Sequence, residues 1–401
     1  MKNNRYLRMV AAAMLLISFS VCISGCWDSH ELNKLAILSG IGFDIDPETG
    51  EHLVTYQSII PSKVKSSTAG SSEEQTGGGG ISPAVYLDHL KGNTWSEPSG
   101  NYAAQGNRNL FFPHIQVDIL GKEVAKRGVY PLVEYILRLT QGRPNRLLLV
   151  AQDKASDILA ARDGMEVIPA IGIAGGVKLA AEFSKYPAIS ILDFANRLLS
   201  KTTAPILPII SIFEETGPDG KKFNKVRITG MAVFKGDKMV GELNEQESRG
   251  MLWAIDKIKK GFVVVDAPDG SGKASLAITR SKSQIIPELT EGKITIHVVI
   301  EEQADLTEYN GSKNLDDILL KQIEERQAEA IQKEVMAALN KSLALNADVF
   351  GFGEAVHRKY KKDWPDLEAR WDEIYPSLDV AIKVKTHVNE TGDISKAVIP
   401  Q

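Results

Sequence analysis

Cysteine is almost absent from this chain, which has only Cys22 and Cys26 among its 401 residues. Two cysteines are too few for a disulfide-dense scaffold. The 375 residues that follow Cys26 contain none, which excludes a cysteine nucleophile, a disulfide and a thiolate metal site from that part of the chain. Histidine is scarce as well. The seven histidines include no pair spaced i, i+3 or i+4, so the helical zinc-protease motif is absent.

The chain also lacks an excess of positive charge and, beyond its first 25 residues, a long apolar run. Its formal net charge is −4, with 24% charged and 43% hydrophobic residues. This composition is ordinary for folded domains and excludes a collagen-like or wholly disordered chain. Nucleic acid is disfavoured as a partner, because phosphate binding requires a basic surface. No later stretch approaches the roughly 18 apolar residues of a membrane-spanning helix.

The amino terminus has the layout of a secretory signal peptide over residues 1–25. Three basic residues precede an apolar run over residues 9–23. The tetrapeptide Ile23-Ser24-Gly25-Cys26 resembles the bacterial lipobox, in which small residues precede an acylated cysteine. The resemblance implies cleavage between Gly25 and Cys26, with a covalent diacylglycerol and an N-acyl lipid on Cys26. The alternative is a plain signal peptide or an uncleaved anchor with an incidental cysteine.

Acylation at Cys26 would make the chain a lipid-anchored protein. Two acyl chains give stable membrane attachment, whereas a single myristoyl chain is marginal. Cleavage would remove three basic residues and no acidic ones, so the formal net charge would change from −4 to −7. Trp27 follows the cysteine, at a place where an indole ring can lie among the lipid headgroups. The alternative for Trp27 is a tether residue without a membrane role.

The region from residue 26 to residue 200 shows mixed strand and helix patterns. Alternating apolar residues predict a β-hairpin over 35–60, with turn residues at 46–50. Residues 61–82 are rich in Ser and Gly and predict a flexible loop, and residues 91–109 show no clear period. Further elements are predicted at 111–120 (strand), 123–139 (helix kinked near Pro131), 146–151 (strand), 153–161 (helix capped by Asp153) and 189–199 (helix).

A domain boundary is predicted near residues 200–205, so the second region covers 201–401. Asn244 and Glu247 have capping-box spacing at the start of a helix that extends to residue 259. The longest helix is predicted at 315–345 from an apolar stripe that includes Ile318. Strands are predicted at 205–213 (an edge strand because of its prolines), 226–234, 238–241, 262–266, 273–286, 293–302 and 380–388. The resulting fold class is α+β.

The motifs tested for chemistry do not support catalysis. Residues 270–273 (Gly-Ser-Gly-Lys) lack the upstream Gly and the following Ser or Thr of a phosphate loop, so they predict a hairpin turn. Asp44, Asp46 and Glu48 lack the Gly and terminal Glu of a calcium loop and predict a solvated turn. His114 is predicted to be a hydrogen-bonded structural residue. Three tryptophans are predicted to pack in the core or at domain contacts: Trp253, Trp364 and Trp371.

Several short motifs, in order along the chain, resemble the Ger(x)C family of spore germination lipoproteins. The resemblance covers nearly the whole chain, and its strongest block combines 230–234 with Leu243-Asn244 and Glu247-Ser248-Arg249-Gly250. The other blocks are Cys26-Trp27-Asp28 with Glu31-Leu32, Gly40-Ile41-Gly42-Phe43-Asp44, Phe111 to His114 with 121–125, and Asp348 with Phe350-Gly351-Phe352-Gly353 and the 364–371 segment. Three segments depart from the family pattern: 61–82, 91–109, and Asn389-Glu390-Thr391-Gly392, where relatives tend to have a basic residue before Thr-Gly.

This resemblance implies a lipid-anchored α+β protein of three domains, on the outer face of the spore inner membrane. It implies a nutrient germinant receptor with an A subunit and a permease-like B subunit as partners. No catalytic residue, no metal site and no cofactor other than the covalent lipid are expected. Candidate partner or domain-junction contacts are Asn244, Glu247, Arg249, Gly250, Phe350, Gly351, Phe352 and Gly353, for which helix capping and glycine turn geometry are the alternative. The second hypothesis for function is a solute-binding lipoprotein with two similar lobes that captures a small nutrient itself.

Overall fold

The structure, a computed structural model, describes residues 34–68, 84–139, 141–161, 166–216, 220, 222–312 and 315–389, together with residues 6, 11 and 14. The predicted cleavage site at Gly25 and Cys26 lies outside the described residues, as do Trp27 and residues 69–83 of the predicted loop. The described residues form thirteen β-strands and twelve α-helices. Among them, no helix combines the length and the apolar character needed to cross a membrane.

Nine strands form one mixed sheet in the order β3-β2-β1-β5-β6-β7-β8-β9, with β4 paired to β1. Their bounds are β1 (Leu35–Ile45), β2 (His52–Ile59), β3 (Val85–Gly92), β4 (Asn109–Phe111), β5 (Val117–Leu120), β6 (Leu147–Ala151), β7 (Ile206–Thr216), β8 (Lys222–Lys235) and β9 (Lys238–Leu243). The central strands β1, β5, β6 and β7 run parallel, and antiparallel strands flank them. Every residue of β5 and β6 is buried, as expected where helices cover both faces of a parallel sheet.

Helices pack on both faces of this sheet. The helices of the region are α1 (Pro61–Thr68), α2 (Glu97–Gln105), α3 (Lys122–Arg127), α4 (Tyr130–Arg138), α5 (Ala155–Ala160), α6 (Pro169–Glu182) and α7 (Ile191–Leu198). Apolar side chains of α3, α4 and α7 share one hydrophobic cluster with Phe43 and Leu148. Those of α5 and α6 share another with Ile119 and Leu149, on the opposite face. The sheet is therefore the middle layer of three.

The second sheet has four strands, in the order β10-β11-β12-β13. Their bounds are β10 (Phe262–Asp266), β11 (Lys273–Thr290), β12 (Lys293–Tyr309) and β13 (Asp379–Val388). Alternate residues of β12 are buried, beginning with Ile294, Ile296 and Val298, which places one face of the sheet against helices. Those helices include α8 (Glu245–Ala254), α9 (Asp317–Ala344), α10 (Phe352–Lys359), α11 (Trp364–Ala369) and α12 (Trp371–Ile374).

The long helix and the α+β class are confirmed, and several local predictions are wrong. Residues 111–120 form the end of β4, a turn and β5 rather than one strand. Residues 61–68 of the predicted loop form α1, and 97–105 form α2. The 123–139 segment is two helices that separate at Gly128, whose φ of 134° ends α3, whereas Pro131 lies in the first turn of α4. Ile318 lies off the buried stripe of α9 and is 72% exposed.

Asp44 is buried and caps a helix instead of lying in a solvated turn. Its Oδ1 accepts a hydrogen bond from the backbone N–H of Ala155 at 2.9 Å, and its Oδ2 accepts one from Ser156 at 3.0 Å. Asp44 therefore performs the role predicted for Asp153, because β1 and the start of α5 are adjacent in space although 111 residues apart in sequence. The solvated turn is formed by Asp46, whose Oδ1 accepts from Glu48 N and Thr49 N.

The nine-stranded sheet crosses the boundary predicted near residues 200–205. Strand β7 lies inside the sheet, paired with both β6 and β8, so it is not an edge strand. Its proline, Pro208, is tolerated there because the ladder to β6 begins only at Ile209. The chain enters the second sheet after β9 and α8. His114 lies exposed in a turn, with its ring 5.6 Å from that of Phe111, rather than inside a strand.

Candidate functional site

The first group of candidate residues forms the start of α8. Asn244 is the N-cap: its Oδ1 accepts from Glu247 N at 2.9 Å, and Glu247 Oε2 accepts from Asn244 N at 2.8 Å. The predicted capping box is confirmed. The helix ends at Ala254 rather than near residue 259, because Asp256 adopts a left-handed conformation with φ of 59°.

Arg249 and Gly250 fix α8 against α9 and β10. A Cβ atom on Gly250 would lie 1.9 Å from the carbonyl oxygen of Glu334, so only glycine permits this approach of the two helices. Trp253 Nε1 donates to Glu334 Oε2 at 2.8 Å, and Arg249 Nε lies 3.6 Å from the same oxygen. Arg249 Nη2 also donates to the carbonyl of Phe262 at 2.7 Å. The motif thus joins three elements.

Besides Glu334, the carboxylate of Glu302 interacts electrostatically with the positive charge of Arg249. Glu302 on β12 is 2% exposed, and its Oε2 accepts a hydrogen bond from Gln327 Nε2 at 2.8 Å. Burial raises the pKa of Glu302 to about 8, and the positive charge of Arg249 opposes this rise only in part. Glu302 is therefore mostly protonated at neutral pH, as a neutral acid between a strand and a helix.

Glu302 makes the stability of the protein depend on pH. An unfolded glutamate ionises near its ordinary pKa of 4.5, whereas folded Glu302 ionises near 8. Its contribution is therefore fully present below pH 4.5 and is lost as the pH rises through 8. Between pH 5 and pH 9 the wild type should lose on the order of 2–4 kcal/mol more free energy of unfolding than Glu302→Gln, whose side chain does not ionise. Urea unfolding of both proteins at the two pH values measures this, and equal pH dependence in the two would contradict the assignment.

The second group of candidate residues surrounds Asp348, a buried carboxylate before α10. Its Oδ1 accepts from Gly351 N at 2.8 Å and Phe352 N at 3.0 Å, and its Oδ2 accepts from Gly353 N at 2.8 Å. Gly351 has a φ of 76°, a conformation that favours glycine. Burial raises the pKa of Asp348 to about 6, and the three backbone donors oppose the rise. The Phe350 to Gly353 motif is therefore a carboxylate-held loop that starts a helix.

This loop joins the two parts of the chain. Ala204 N donates to the carbonyl of Asp348 at 2.8 Å, and Arg197 Nη1 donates to the carbonyl of Ala204 at 3.1 Å. Ser200 Oγ donates to Glu354 Oε1 at 3.1 Å. We call residues 197–204 with 348–354 the junction. A cavity of about 140 Å³ lies beside it, with walls that include Thr202, Lys235, Asn346, Trp371 and Tyr375.

Replacing Asp348 by asparagine should weaken the junction. An asparagine side chain keeps one acceptor oxygen and places an amide donor where the second oxygen now accepts. If the amide replaces Oδ2, Gly353 N loses its acceptor, and if it replaces Oδ1, Gly351 N and Phe352 N lose theirs. We expect a loss of about 2–4 kcal/mol in the free energy of unfolding. Urea unfolding measures it, with the exposed Asp366→Asn as the control expected to change little. A loss below about 0.5 kcal/mol would contradict the role.

The aromatic candidates pack inside the protein. The rings of Phe350 and Phe352 stack with centroids 4.9 Å apart, and those of Trp364 and Trp371 are 5.7 Å apart. All four are buried, as is Trp253, so the prediction of core packing for the tryptophans is confirmed. The two candidate groups contribute to the same hydrophobic cluster from different helices. Their roles in this chain are capping and packing, and contact with a partner stays a prediction.

The structure brings together residues whose partnership no sequence pattern signalled. Arg197 and Glu302 act through partners on distant elements. Asp118 on β5 forms a buried ion pair with Arg146, whose Nε lies 2.6 Å from Asp118 Oδ2. Burial raises the pKa of Asp118 to about 6, and Arg146 opposes that rise. In the described residues no three His, Cys, Asp or Glu side chains group as metal ligands would.

The sequence and fold are similar to those of spore germination proteins. Residues 28–212 match the family described as spore germination protein N-terminal domain, and residues 229–392 match spore germination B3/GerAC like, C-terminal. Spore germination protein KC of Bacillus subtilis (strain 168) is 26% identical over 401 residues, covering 96% of each chain. Putative spore germination protein YfkR of the same strain is 25% identical over 398 residues, covering 98% of this chain and 99% of its own.

A solved structure shares the fold. The crystal structure of the GerBC protein matches with a TM-score of 0.55 and 16% sequence identity, covering 87% of this chain and 97% of that chain. The two family matches meet between residues 212 and 229, inside the β7–β8 hairpin. They therefore divide the chain slightly later than the predicted boundary, and within the nine-stranded sheet.

Proposed function

Since the chain belongs to the Ger(x)C family of spore germination proteins, we propose that it is a non-enzymatic, lipid-anchored subunit of a nutrient germinant receptor. In this proposal it assembles with an A subunit and a membrane-embedded B subunit on the outer face of the spore inner membrane. The observation that carries the proposal is similarity along the full length: spore germination protein KC matches 96% of this chain, and putative spore germination protein YfkR matches 98%.

The proposed anchor is Cys26, with a covalent diacylglycerol and an N-acyl lipid. Eight residue steps separate Cys26 from Lys34, the start of the continuously described chain. At about 3.5 Å per residue, the folded part would lie within roughly 28 Å of the acylated residue. Such a tether raises the concentration of the folded domains near membrane partners, which favours assembly without a large affinity for each contact.

The buried charged groups support a non-enzymatic role. Glu302, Glu334, Asp348 and Asp118 all have pKa values raised by burial, a feature also common at active sites. Here Glu302, Glu334 and Asp118 each contact a partner on another element, and Asp348 caps the start of α10. Their perturbation is accounted for by packing, so none needs a substrate to explain it.

The solute-binding hypothesis is less well supported. It predicts two similar lobes around a hinge, whereas the two sheets have nine and four strands and different topologies. Calorimetry of residues 27–401 against a panel of amino acids and sugars separates the hypotheses. We expect no saturable heat, and micromolar binding of one nutrient would favour solute capture.

Deletion of the gene tests the receptor role. We expect spores without this chain to lose the response to at least one nutrient and to regain it when the wild-type gene is restored. A deletion strain that responds normally to every nutrient of a broad panel, in a background without other receptors of this type, would contradict the proposal.

A further inference from the structure

The tether, the segment between Cys26 and Lys34, reaches the nine-stranded sheet at the start of β1. Strand β1 begins at Leu35, which pairs with Asn109 of β4. Because β5 and β6 run parallel to β1, the segments that precede them lie at the same end, and β2 ends there because it runs antiparallel. We call residues 34–35, 59–68, 106–116 and 138–146 the tether end.

The tether end is basic although the chain as a whole is acidic. The last three of its segments contain no Asp or Glu, and their basic residues are Lys63, Lys65, Arg108, Arg138, Arg143 and Arg146. Arg146 is buried in its ion pair with Asp118, whereas Lys63, Arg108, Arg138 and Arg143 are exposed. The opposite end of the same strands carries Asp46, Glu48, Glu51, Glu123 and Asp153, of which Glu48, Glu123 and Asp153 are exposed, together with Lys91, Lys122 and Lys154. That end therefore carries charges of both signs, whereas the last three segments of the tether end carry basic residues alone.

Two of the arginines share a cavity. Arg108 and Arg138 line a space of about 280 Å³ whose walls also include Ser99, Asn109 and Gln141. Arg138 is bonded to Glu134 at 2.6 Å, but its side chain is 76% exposed. Within the part of the chain that the structure describes, Arg108 and Arg143 are exposed and form no ion pair. Guanidinium groups bind phosphate oxygens in a bidentate manner, so this cavity has the chemistry of a phosphate site.

We propose that the tether end is a binding surface for anionic phospholipid headgroups, which orients the protein with the opposite end of these strands, where the acids lie, away from the bilayer. The inference rests on the proposed anchor at Cys26, because the tether brings this end within reach of the membrane. The half-buried Phe111 and the exposed His114 belong to the 106–116 segment, with their rings 5.6 Å apart. Charge attraction and tether geometry therefore favour the same orientation.

Vesicle flotation of the unacylated chain tests this surface independently of the anchor. Residues 27–401 are suitable because the hydrophobic clusters consist entirely of residues 36–388. We expect binding to vesicles rich in phosphatidylglycerol, no binding to phosphatidylcholine vesicles, and loss of binding in high salt. The variant Arg108→Gln, Arg138→Gln, Arg143→Gln should partition on the order of 100-fold more weakly.

The matched control has the same change of charge at the opposite end: Lys91→Gln, Lys122→Gln, Lys154→Gln. We expect its partitioning to fall less than fivefold. An equal loss in both variants would show attraction by overall charge and overturn the proposal, as would binding of the wild type to neither vesicle. Because the test protein carries no lipid, it can fail while Cys26 is acylated in spores. It can also succeed when Cys26 is not acylated, so the two proposals are separable.

Discussion

Replacing Gly250 by alanine is expected to destabilise the protein by about 3 kcal/mol or more, among the largest effects of a single methyl group. The added Cβ would lie 1.9 Å from the carbonyl oxygen of Glu334 and 2.4 Å from its carbon. Both atoms belong to the backbone of α9, so no side-chain rotation relieves the overlap. The two helices must separate, which also disturbs the contacts of Arg249 and Trp253 with Glu334.

The matched control is Gly176→Ala, in the middle of α6. A Cβ atom there would meet nothing within 4 Å. Alanine should therefore stabilise the protein by about 0.5–1 kcal/mol through its higher helix propensity. The same chemical change is thus expected to have effects of opposite sign on the free energy of unfolding, and urea unfolding of both variants measures them. If Gly250→Ala were as stable as the wild type, the close approach of α8 and α9 would be wrong.

Replacing Cys26 by alanine is expected to abolish acylation of the chain and to weaken the response of the spores to nutrients. Without the thiol no diacylglycerol can be attached, and lipoprotein cleavage before residue 26 does not follow. Each buried methylene of an acyl chain contributes about 0.8 kcal/mol, so the variant loses the attachment that the two acyl chains would provide. The uncleaved precursor keeps its apolar residues 9–23, so mass spectrometry of the tagged chain, rather than fractionation alone, measures the loss of lipid and of cleavage. A germination assay measures the expected fall in the response to nutrients.

Cys22→Ala is the matched control for this prediction. Cys22 lies within the predicted signal peptide, so its replacement should leave acylation, membrane retention and the nutrient response unchanged. Normal amounts of receptor and a normal response in Cys26→Ala spores would contradict the anchor. If Cys22→Ala spores lost as much of the nutrient response as Cys26→Ala spores, the cause would be defective export of the chain rather than loss of the lipid anchor.

Features set by neighbours in sequence could be predicted from the sequence. The capping box of Asn244 and Glu247 needs only a spacing of three residues. The long helix α9 and the alternating strand β13 follow from apolar periodicity over many residues. The turn at 270–273 follows from its glycines, and it joins β10 to β11 as expected. In each case the deciding interactions lie within one element.

Features that depend on distant partners were not predictable. Asp44 is in a turn-like sequence, and only the packing of α5 beside β1 makes it a helix cap. Helix α6 gave no amphipathic signal, because its sequence combines apolar residues with adjacent glycines at 175 and 176. Pro208 indicated an edge strand, yet the adjacent ladder starts one residue later. In the candidate site, helix capping could be predicted from the sequence. The junction could not, because it depends on Arg197 and Asp348, 151 residues apart, both bonding to Ala204.

The measurement that tests the central proposal most directly is isolation of the tagged full-length chain from spore membranes in a mild detergent, followed by mass spectrometry. The account predicts that the tagged chain carries lipid on Cys26 and is recovered with an A-type subunit and a multi-spanning B-type subunit. Recovery of the intact, membrane-extracted chain without either subunit, under conditions that preserve other membrane complexes, would contradict the account.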